Sequence, residues 1–203
     1  MNFKFFLILA LISLLSACGS APPKPENNVS LQEGFLAYAN RLRAIQTWSL
    51  KGRLAVRAER GNGTLNILWD QDIDNYVIRF IAPFGQGAFD IRGFTDTVVF
   101  KDATGLVLVS PTAEELLENT MGLKVRLKGL AYWLRGIPEP GEPFNELVLD
   151  EKGRLQSLQQ ANVSVELSRY KKQGDYELPG KIKIKGDGFK LNLAIHNWDL
   201  NSE

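Results

Sequence analysis

The sequence is poor in the side chains that most enzymes use for chemistry, because its 203 residues include one cysteine, Cys18, and one histidine, His196. A single histidine cannot build a zinc site. A Ser-His-Asp triad would have to use His196, although no serine stands in a nucleophile motif. The aspartates of 70–74 are spaced as in a calcium loop, but Asn75 occupies the position of the required glycine. We therefore predict that the chain is not an enzyme and uses no metal or cofactor.

Positive and negative charges are nearly balanced, with 24 Lys and Arg residues and 23 Asp and Glu residues. Lys4 is the only charged residue before position 18, so the remainder of the chain is balanced. Proteins that bind nucleic acid or anionic lipid by electrostatic attraction carry a basic patch. The balance argues against a nucleic-acid partner and leaves membrane attachment to a lipid group or to apolar contact.

Long apolar runs are absent too, with one exception near the start. Residues 5–12 are all apolar and follow Lys4. The run is shorter than the ~20 residues that cross a bilayer. Its charged start, apolar centre and small residues near the cut are typical of a secretory signal.

The end of this leader, Leu-Ser-Ala-Cys at 15–18, resembles the bacterial lipoprotein box. The resemblance implies that residues 1–17 are removed as a signal peptide and that Cys18 carries the lipid. Gly19 follows, where lipoproteins retained at the inner membrane often have aspartate. The resemblance therefore implies a lipid anchor in the outer membrane, facing the periplasm. An ordinary secretory signal with a chance cysteine is the alternative.

Hydrophobic periodicity divides the rest of the chain. Residues 18–29 are small, polar and rich in proline, which predicts a flexible lipidated tether. Residues 31–45 repeat apolar side chains at helical spacing, with Ser30 as the N-cap. From Trp48 the period changes to two, and successive segments have one apolar and one polar face, as in an antiparallel sheet covered on one side. Residues 30–203 are expected to form one domain.

Two shorter helices are predicted among the strands. Ser-Pro at 110–111 opens the first, which ends near Gly122, and the second covers 128–135. Gly-Asn-Gly at 61–63 predicts a hairpin turn. The fold class is α+β, with an antiparallel sheet of ten or eleven strands and three helices. Periodicity leaves open whether the sheet has an ordinary core or a curved, apolar concave face that holds a ligand.

One predicted turn contains an apolar residue. Residues 82–87, Ala-Pro-Phe-Gly-Gln-Gly, have the proline and glycines of a surface turn. Phe84 at its centre either folds back onto the core or is offered to something apolar outside. On turn chemistry alone, folding back is the preferred of the two.

The order and spacing of several short motifs is similar to the LolB family of outer-membrane lipoproteins. The motifs are Trp48-x-x-x-Gly52, Trp69-Asp70-Gln71, Pro83-Phe84-Gly85, Met121-Gly122, Tyr132-Trp133-Leu134-x-Gly136-x-Pro138, Asp150-x-x-Gly153, Leu178-Pro179 and Asn197-Trp198. In that family a leucine at a protruding Pro-Leu-Gly tip is needed to place cargo in the membrane. The resemblance implies this membrane-insertion role for Pro83, Phe84 and Gly85. Phenylalanine instead of leucine, and Arg126 where the family tends to have proline, depart from the pattern.

The resemblance also implies an architecture and an activity. The architecture is an open half-barrel sheet with helices across its mouth. The activity is to accept acylated lipoproteins from a LolA-like periplasmic carrier and to insert them into the outer membrane, as a monomer without a cofactor. A buried methylene contributes ~0.8 kcal/mol, so one acyl chain of about sixteen carbons costs on the order of 10 kcal/mol in water. A cavity that receives the chains directly avoids that state.

Two alternatives belong to other classes of protein. A lipid-anchored binding or sensing module without transfer activity would use the same cavity. A periplasmic hydrolase would need His196 as its base.

The candidate cavity residues are apolar residues of the alternating strands, with Trp133 from the second short helix: Leu54, Val56, Leu65, Ile67, Trp69, Ile78, Phe80, Phe89, Ile91, Phe100, Trp133, Leu193 and Ile195. For each residue taken singly, ordinary core packing is the preferred interpretation, because an apolar sheet face has to be covered whatever its function.

Overall fold

Three helices and a large antiparallel sheet make up the part of the chain that the structure, a computed structural model, describes: residues 26–59, 61–85 and 87–200. The predicted signal peptide, Cys18 and most of the predicted tether lie outside these residues. Leu31–Glu203 forms one compact unit, which contains every described element except the first residues of α1.

In chain order the elements are α1 (Glu26–Arg43), β1 (Thr47–Ala58), β2 (Gly61–Asp72), β3 (Asn75–Ile81), a 3₁₀ turn (Pro83–Gly85), β4 (Ala88–Phe94), β5 (Thr97–Asp102), β6 (Val107–Ser110), α2 (Ala113–Met121), α3 (Leu127–Leu134), β7 (Phe144–Leu149), β8 (Leu155–Gln160), β9 (Val163–Ser168), β10 (Lys171–Gln173), β11 (Tyr176–Leu178), β12 (Lys181–Gly186) and β13 (Phe189–Asp199).

Eleven strands form one sheet in the order β6-β5-β4-β3-β2-β1-β13-β12-β9-β8-β7, and β10 and β11 pair separately. The longest strands, β1, β2 and β13, lie side by side in the middle. Strands β6 and β7 stay at opposite edges, so the sheet does not close into a barrel. The predicted α+β class, strand number and open half-barrel are confirmed.

One face of this sheet holds the core. Leu54 of β1 pairs in register with Leu65 of β2 and with Leu193 of β13, so the three side chains share a face. On the same strand Lys51 and Arg53 alternate with buried residues and are exposed. Inward-facing residues of many strands thus converge on one layer, which the helices cover.

Helix α1 covers this layer with three residues at helical spacing. Phe35, Ala39 and Leu42 are each at most 4% exposed, whereas Leu36 is 56% exposed. The helix begins at Glu26, so Ser30 lies inside it and the prediction of Ser30 as N-cap is wrong. The last predicted tether residues, 26–29, belong to the helix.

Two predicted element boundaries move for local reasons. The N-cap of α2 is Thr112, whose side-chain oxygen accepts a hydrogen bond from the Glu115 N–H. Ser110 instead ends β6, where it is buried and donates to the Glu115 carboxylate. The predicted end at Gly122 is confirmed, because this residue has φ of 68° and caps the helix in the left-handed conformation.

The first hairpin turn is also displaced. Ala58 pairs with Gly61, so β2 has already begun at Gly61 and the predicted turn at 61–63 is part of a strand. The turn therefore precedes the glycines. The second short helix is Leu127–Leu134, so it ends one residue before the predicted end at 135, and Arg135 is its C-cap.

A backbone contact in the middle of the sheet requires a glycine. Gly52 lies at a register shift between β1 and β13. A Cβ atom at this position would be 2.6 Å from the backbone oxygen of Ala194. Real side-chain carbons do not approach a carbonyl oxygen so closely, so any other residue would push the two central strands apart.

We therefore expect Gly52→Ala to lower the free energy of unfolding by about 1–3 kcal/mol, the usual cost of overpacking. Urea unfolding followed by tryptophan fluorescence measures it. Gly63→Ala on β2 is the matched control, because no atom lies within 4 Å of its added Cβ. An equal loss in both variants would mean that strand propensity, rather than the contact with Ala194, determines the effect.

Candidate functional site

An apolar cavity of about 70 Å³ lies between the buried face of the sheet and residues 121–130, which we call the cover segment. Its lining is apolar throughout: Leu54, Val56, Leu65, Ile67, Trp69, Ile78, Phe80, Phe89, Leu117, Met121, Leu123, Val125, Leu127, Leu130, Leu134, Ile182, Ile184, Leu191 and Leu193. A cavity of this composition suits aliphatic chains and offers no acid, base or nucleophile to a substrate.

Nine of the thirteen predicted cavity residues line this cavity: Leu54, Val56, Leu65, Ile67, Trp69, Ile78, Phe80, Phe89 and Leu193. The other four, Ile91, Phe100, Trp133 and Ile195, are at most 8% exposed and lie in the packed core outside the lining. Alternation along a strand identifies the face to which a side chain points. It does not tell how far along that face the covering helices leave space.

The cover segment supplies cavity residues that the sequence analysis did not single out. Met121, Leu123, Val125 and Leu127 all line the cavity. They alternate with Gly122, Lys124 and Arg126 at a period of two. This period, in a stretch between two helices, was the signal that could have identified an extended segment lying over an apolar surface.

Ion pairs hold the polar side of the cover segment. Arg126 donates through Nη2 to Oε1 of Glu139 at 2.9 Å and pairs through Nη1 with Glu142 at 2.7 Å. Glu139 is 3% exposed, and burial raises the pKa of its carboxyl. The Gln160 amide accepts from the Glu139 N–H and donates to the Glu139 carbonyl. Arg126, which departs from the family pattern, is thus a structural anchor.

A second, more polar recess of about 410 Å³ opens toward the other end of the strands and shares Trp69 and Leu127 with the apolar cavity. Tyr76, Arg135 and Glu114 are among the residues that line it. Burial raises the pKa of Tyr76 to about 12, so its hydroxyl is protonated at neutral pH. The buried face therefore passes from an apolar end to a polar end.

The turn between β3 and β4 carries an apolar side chain into solvent. Phe84 is 99% exposed, so it does not fold back onto the core. The turn is closed below by a hydrogen bond from the Ala82 N–H to the Gly87 carbonyl at 2.9 Å. Directly beneath it, Phe80 and Phe89 stack at 4.7 Å and line the apolar cavity. The exposed ring and the cavity thus lie at the same end of the sheet.

The backbone of Phe84 is strained. Its φ of 59° and ψ of 22° lie in the left-handed region. That conformation costs a residue with a Cβ roughly 1–2 kcal/mol, and glycine or asparagine is usual there. A large apolar side chain that is both exposed and strained contributes little to folding, which points to a functional reason for it.

His196 and groups that could hold a metal ion are the remaining candidates for chemistry. His196 is exposed on β13, apart from the cavity lining. In the described ranges, no group of three or more His, Cys, Asp or Glu residues is placed to hold a metal ion. No helix within those ranges combines the length and the apolarity needed to cross a bilayer.

Comparison with known proteins gives consistent matches over nearly the whole chain. The family model described as outer membrane lipoprotein LolB matches residues 46–198. A curated outer-membrane lipoprotein LolB from Nitrosococcus oceani is 33% identical over 195 residues, which are 96% of this chain and 97% of the relative. One from Cellvibrio japonicus is 30% identical over 199 residues, 96% and 98% of the two chains.

Solved structures share the fold at much lower identity. A LolA superfamily protein from Nitrosomonas europaea superposes with a TM-score of 0.54 at 8% identity, covering 85% of this chain and 94% of that one. A putative outer membrane lipoprotein-sorting protein domain from Vibrio parahaemolyticus gives a TM-score of 0.53 at 12% identity, covering 82% and 92%. These similarities establish the fold alone.

The strain at Phe84 leads to a test of its role in stability. We expect Phe84→Gly to leave the free energy of unfolding unchanged or to raise it by about 1 kcal/mol, because relief of the left-handed conformation offsets the flexibility of glycine. Phe84→Ala retains the strain and should be no more stable than the glycine variant. Urea unfolding compares the two. A loss above about 2 kcal/mol in both would show that the ring packs against the protein.

Proposed function

Because this chain belongs to the LolB family of outer-membrane lipoproteins, we propose that it accepts acylated lipoproteins from a LolA-like periplasmic carrier and inserts them into the outer membrane. The observation that carries the proposal is the fully exposed Phe84 ring directly above the end of an apolar cavity. The cavity receives the acyl chains of the cargo, and the ring enters the bilayer to which they are delivered.

The free energy of acyl transfer supports this division of roles. Exposing one chain of about sixteen carbons to water costs on the order of 10 kcal/mol. Direct passage from carrier to cavity to bilayer avoids this cost. No nucleotide-binding motif is present in the sequence, so increasing affinity along the route drives transfer: the carrier binds most weakly and the bilayer most strongly.

The cavity has to enlarge to do this. Sites for drug-sized ligands typically measure about 300–1,000 Å³, whereas the cavity measures about 70 Å³. We expect the apolar side of the cover segment to move, because only van der Waals contacts hold it to the sheet, and these can be broken while Arg126 stays paired with Glu139. Outward displacement of Leu123 and Val125 would open the cavity without disturbing the sheet.

The remaining features of the proposal concern attachment and partners. Residues 1–17 are removed as a signal peptide, and Cys18 bears the lipid anchor. Residues 18–29, the last four of which open α1, tether it to residues 30–203, which act as a single monomeric domain. The partners are the carrier, the acylated cargo and outer-membrane lipid. The protein works without catalysis and without a cofactor.

Delivery is expected to depend on the Phe84 ring. Phe84→Glu should still take labelled lipoprotein from a loaded carrier, but its delivery to liposomes should fall on the order of tenfold or more, since burial of an aromatic side chain contributes about 1.5–3 kcal/mol. Phe84→Leu, which restores the residue of the family pattern, is the matched control and should deliver normally. Uptake and delivery are measured separately, by carrier depletion and by flotation of the liposomes.

If the unaltered protein takes no cargo, the receptor function is wrong and a binding module without transfer activity becomes the explanation. If Phe84→Glu delivers as well as the unaltered protein, the cavity role stands and the membrane role of the turn is refuted.

Uptake is expected to depend on the cavity. Leu65 is half-buried and lines it, whereas Leu68 on the same strand points to the opposite face of the sheet. Leu65→Trp should therefore reduce uptake from the carrier by filling the space, and Leu68→Trp should not. The same carrier-depletion measurement distinguishes them, with urea unfolding to confirm that both variants fold. Equal uptake by the two variants would argue against acyl chains in this cavity.

A further inference from the structure

A second apolar surface lies at the edge of the sheet. Leu106, Val107 and Val109 are 49%, 51% and 67% exposed. They belong to β6 and to the turn before it, and β6 is the outermost strand on its side of the sheet. An edge strand that presents consecutive apolar residues is unusual, because such edges are normally protected by charge or proline.

The turn that carries Leu106 faces the same way as Phe84. Strand β3 ends at Ile81 below Phe84, and the antiparallel register places Asp102, the end of β5, beside Phe89 at the start of β4. The β5–β6 turn, residues 103–106, therefore projects from the same end of the sheet. Strands are spaced about 4.8 Å apart, so the two turns lie roughly 10 Å from each other.

The β5–β6 turn satisfies its polar groups internally. The Asp102 carboxylate accepts from the Thr104 N–H, from the Thr104 hydroxyl and from the Leu106 N–H, at 2.9, 2.7 and 2.9 Å. The Gly105 N–H donates to the Asp102 carbonyl. These bonds lower the pKa of Asp102 and leave no backbone N–H of residues 104–106 in need of water. The cost of moving these backbone N–H groups into a less polar medium is reduced accordingly.

We propose that residues 103–107 form a second membrane-contacting tip, which enters the same bilayer surface as Phe84. The bilayer is the partner that fits, because this tip shares its end of the sheet with the Phe84 turn and presents apolar side chains with internally bonded backbone. Lys101, exposed on the adjacent strand, can extend its ammonium to lipid phosphates. This inference rests on the membrane role proposed for Phe84.

A second contact with the bilayer restricts the orientation of the protein, which a single contact cannot do. A single ring inserted in a bilayer leaves the protein free to rotate about it. A second tip about 10 Å away limits that rotation and holds this end of the apolar cavity toward the lipid. The contact stays within the interfacial region, because the outer edge of β6 has backbone groups that need water or headgroups as partners.

The test is a polarity-sensitive nitrobenzoxadiazole probe on cysteines introduced singly into the mature lipidated protein, in liposomes of phosphatidylethanolamine and phosphatidylglycerol. Cys18 is the only native cysteine and its thiol is consumed by the lipid, so Leu106→Cys offers the one reactive thiol. The unaltered protein taken through the same reaction measures any labelling of Cys18. Phe84→Cys is the reference position, and Asp96→Cys, in the turn at the opposite end of β4 and β5, is the matched control.

We expect emission from positions 84 and 106 to shift to shorter wavelength and to be quenched by spin-labelled lipid, and that from position 96 to show neither. A probe at position 109, farther along β6, should shift less than one at 106. A shift at 84 without one at 106 overturns the second tip and leaves the proposed function intact. No shift at either 84 or 106 refutes both the second tip and the membrane role of Phe84. A shift at 96 equal to that at 106, or a larger shift at 109 than at 106, would also overturn the second tip.

Discussion

A single buried guanidinium joins the helices to the sheet that they cover. Arg135, at the end of α3, donates through Nη1 to the carbonyl oxygens of Leu42 and Ile45 at 3.0 and 2.6 Å, where α1 ends. Its guanidinium also lies over the Trp48 ring of β1 at 5.8 Å. Burial lowers the pKa of Arg135 to about 10, so the group remains charged at neutral pH and its hydrogen bonds are charge-assisted. Without it, the carbonyls at the end of α1 would lose buried partners.

Packed aromatic rings surround this anchor at the same end of the molecule. Trp48 packs between Trp69 and Trp198, with ring centroids 5.5 Å apart in both pairs. The Trp198 indole donates to the carbonyl of Pro179, which ties the last long strand to the segment before β12. Aromatic rings packed in this way supply much of the buried area of a core and tolerate little displacement.

At the other end the cover segment meets the sheet through its apolar side chains. Its anchor, Arg126, lies on the opposite side of the segment and pairs with Glu139 and Glu142 rather than with the sheet. Van der Waals contacts are individually weak and can be exchanged for contacts with a bound chain at little net cost. The same end carries the two exposed apolar turns. A tightly packed end that maintains the fold and the end for which we propose contact with lipid are therefore built on the same strands.

The sequence by itself determined the features that depend on local chemistry. Period-two alternation identified the sheet and its apolar face, Gly122 marked a helix end, and the ordered motifs from Trp48 to Trp198 identified the family. These signals are local, because a side chain that faces the core is apolar whichever element packs against it. Local sequence did not fix the start of α2, since Ser110 and Thr112 offer similar capping groups. Only the packing of β6 decides between them.

Tertiary structure alone decided what depends on distance between elements. Leu193 lines the cavity whereas Ile195, two residues along the same face, is packed core, because the position of α2 and α3 determines where space remains. Phe84 is exposed because its turn extends beyond the sheet, although turn chemistry favoured the opposite. The shared direction of Phe84 and Leu106 follows from strand register, which pairs residues far apart in the chain.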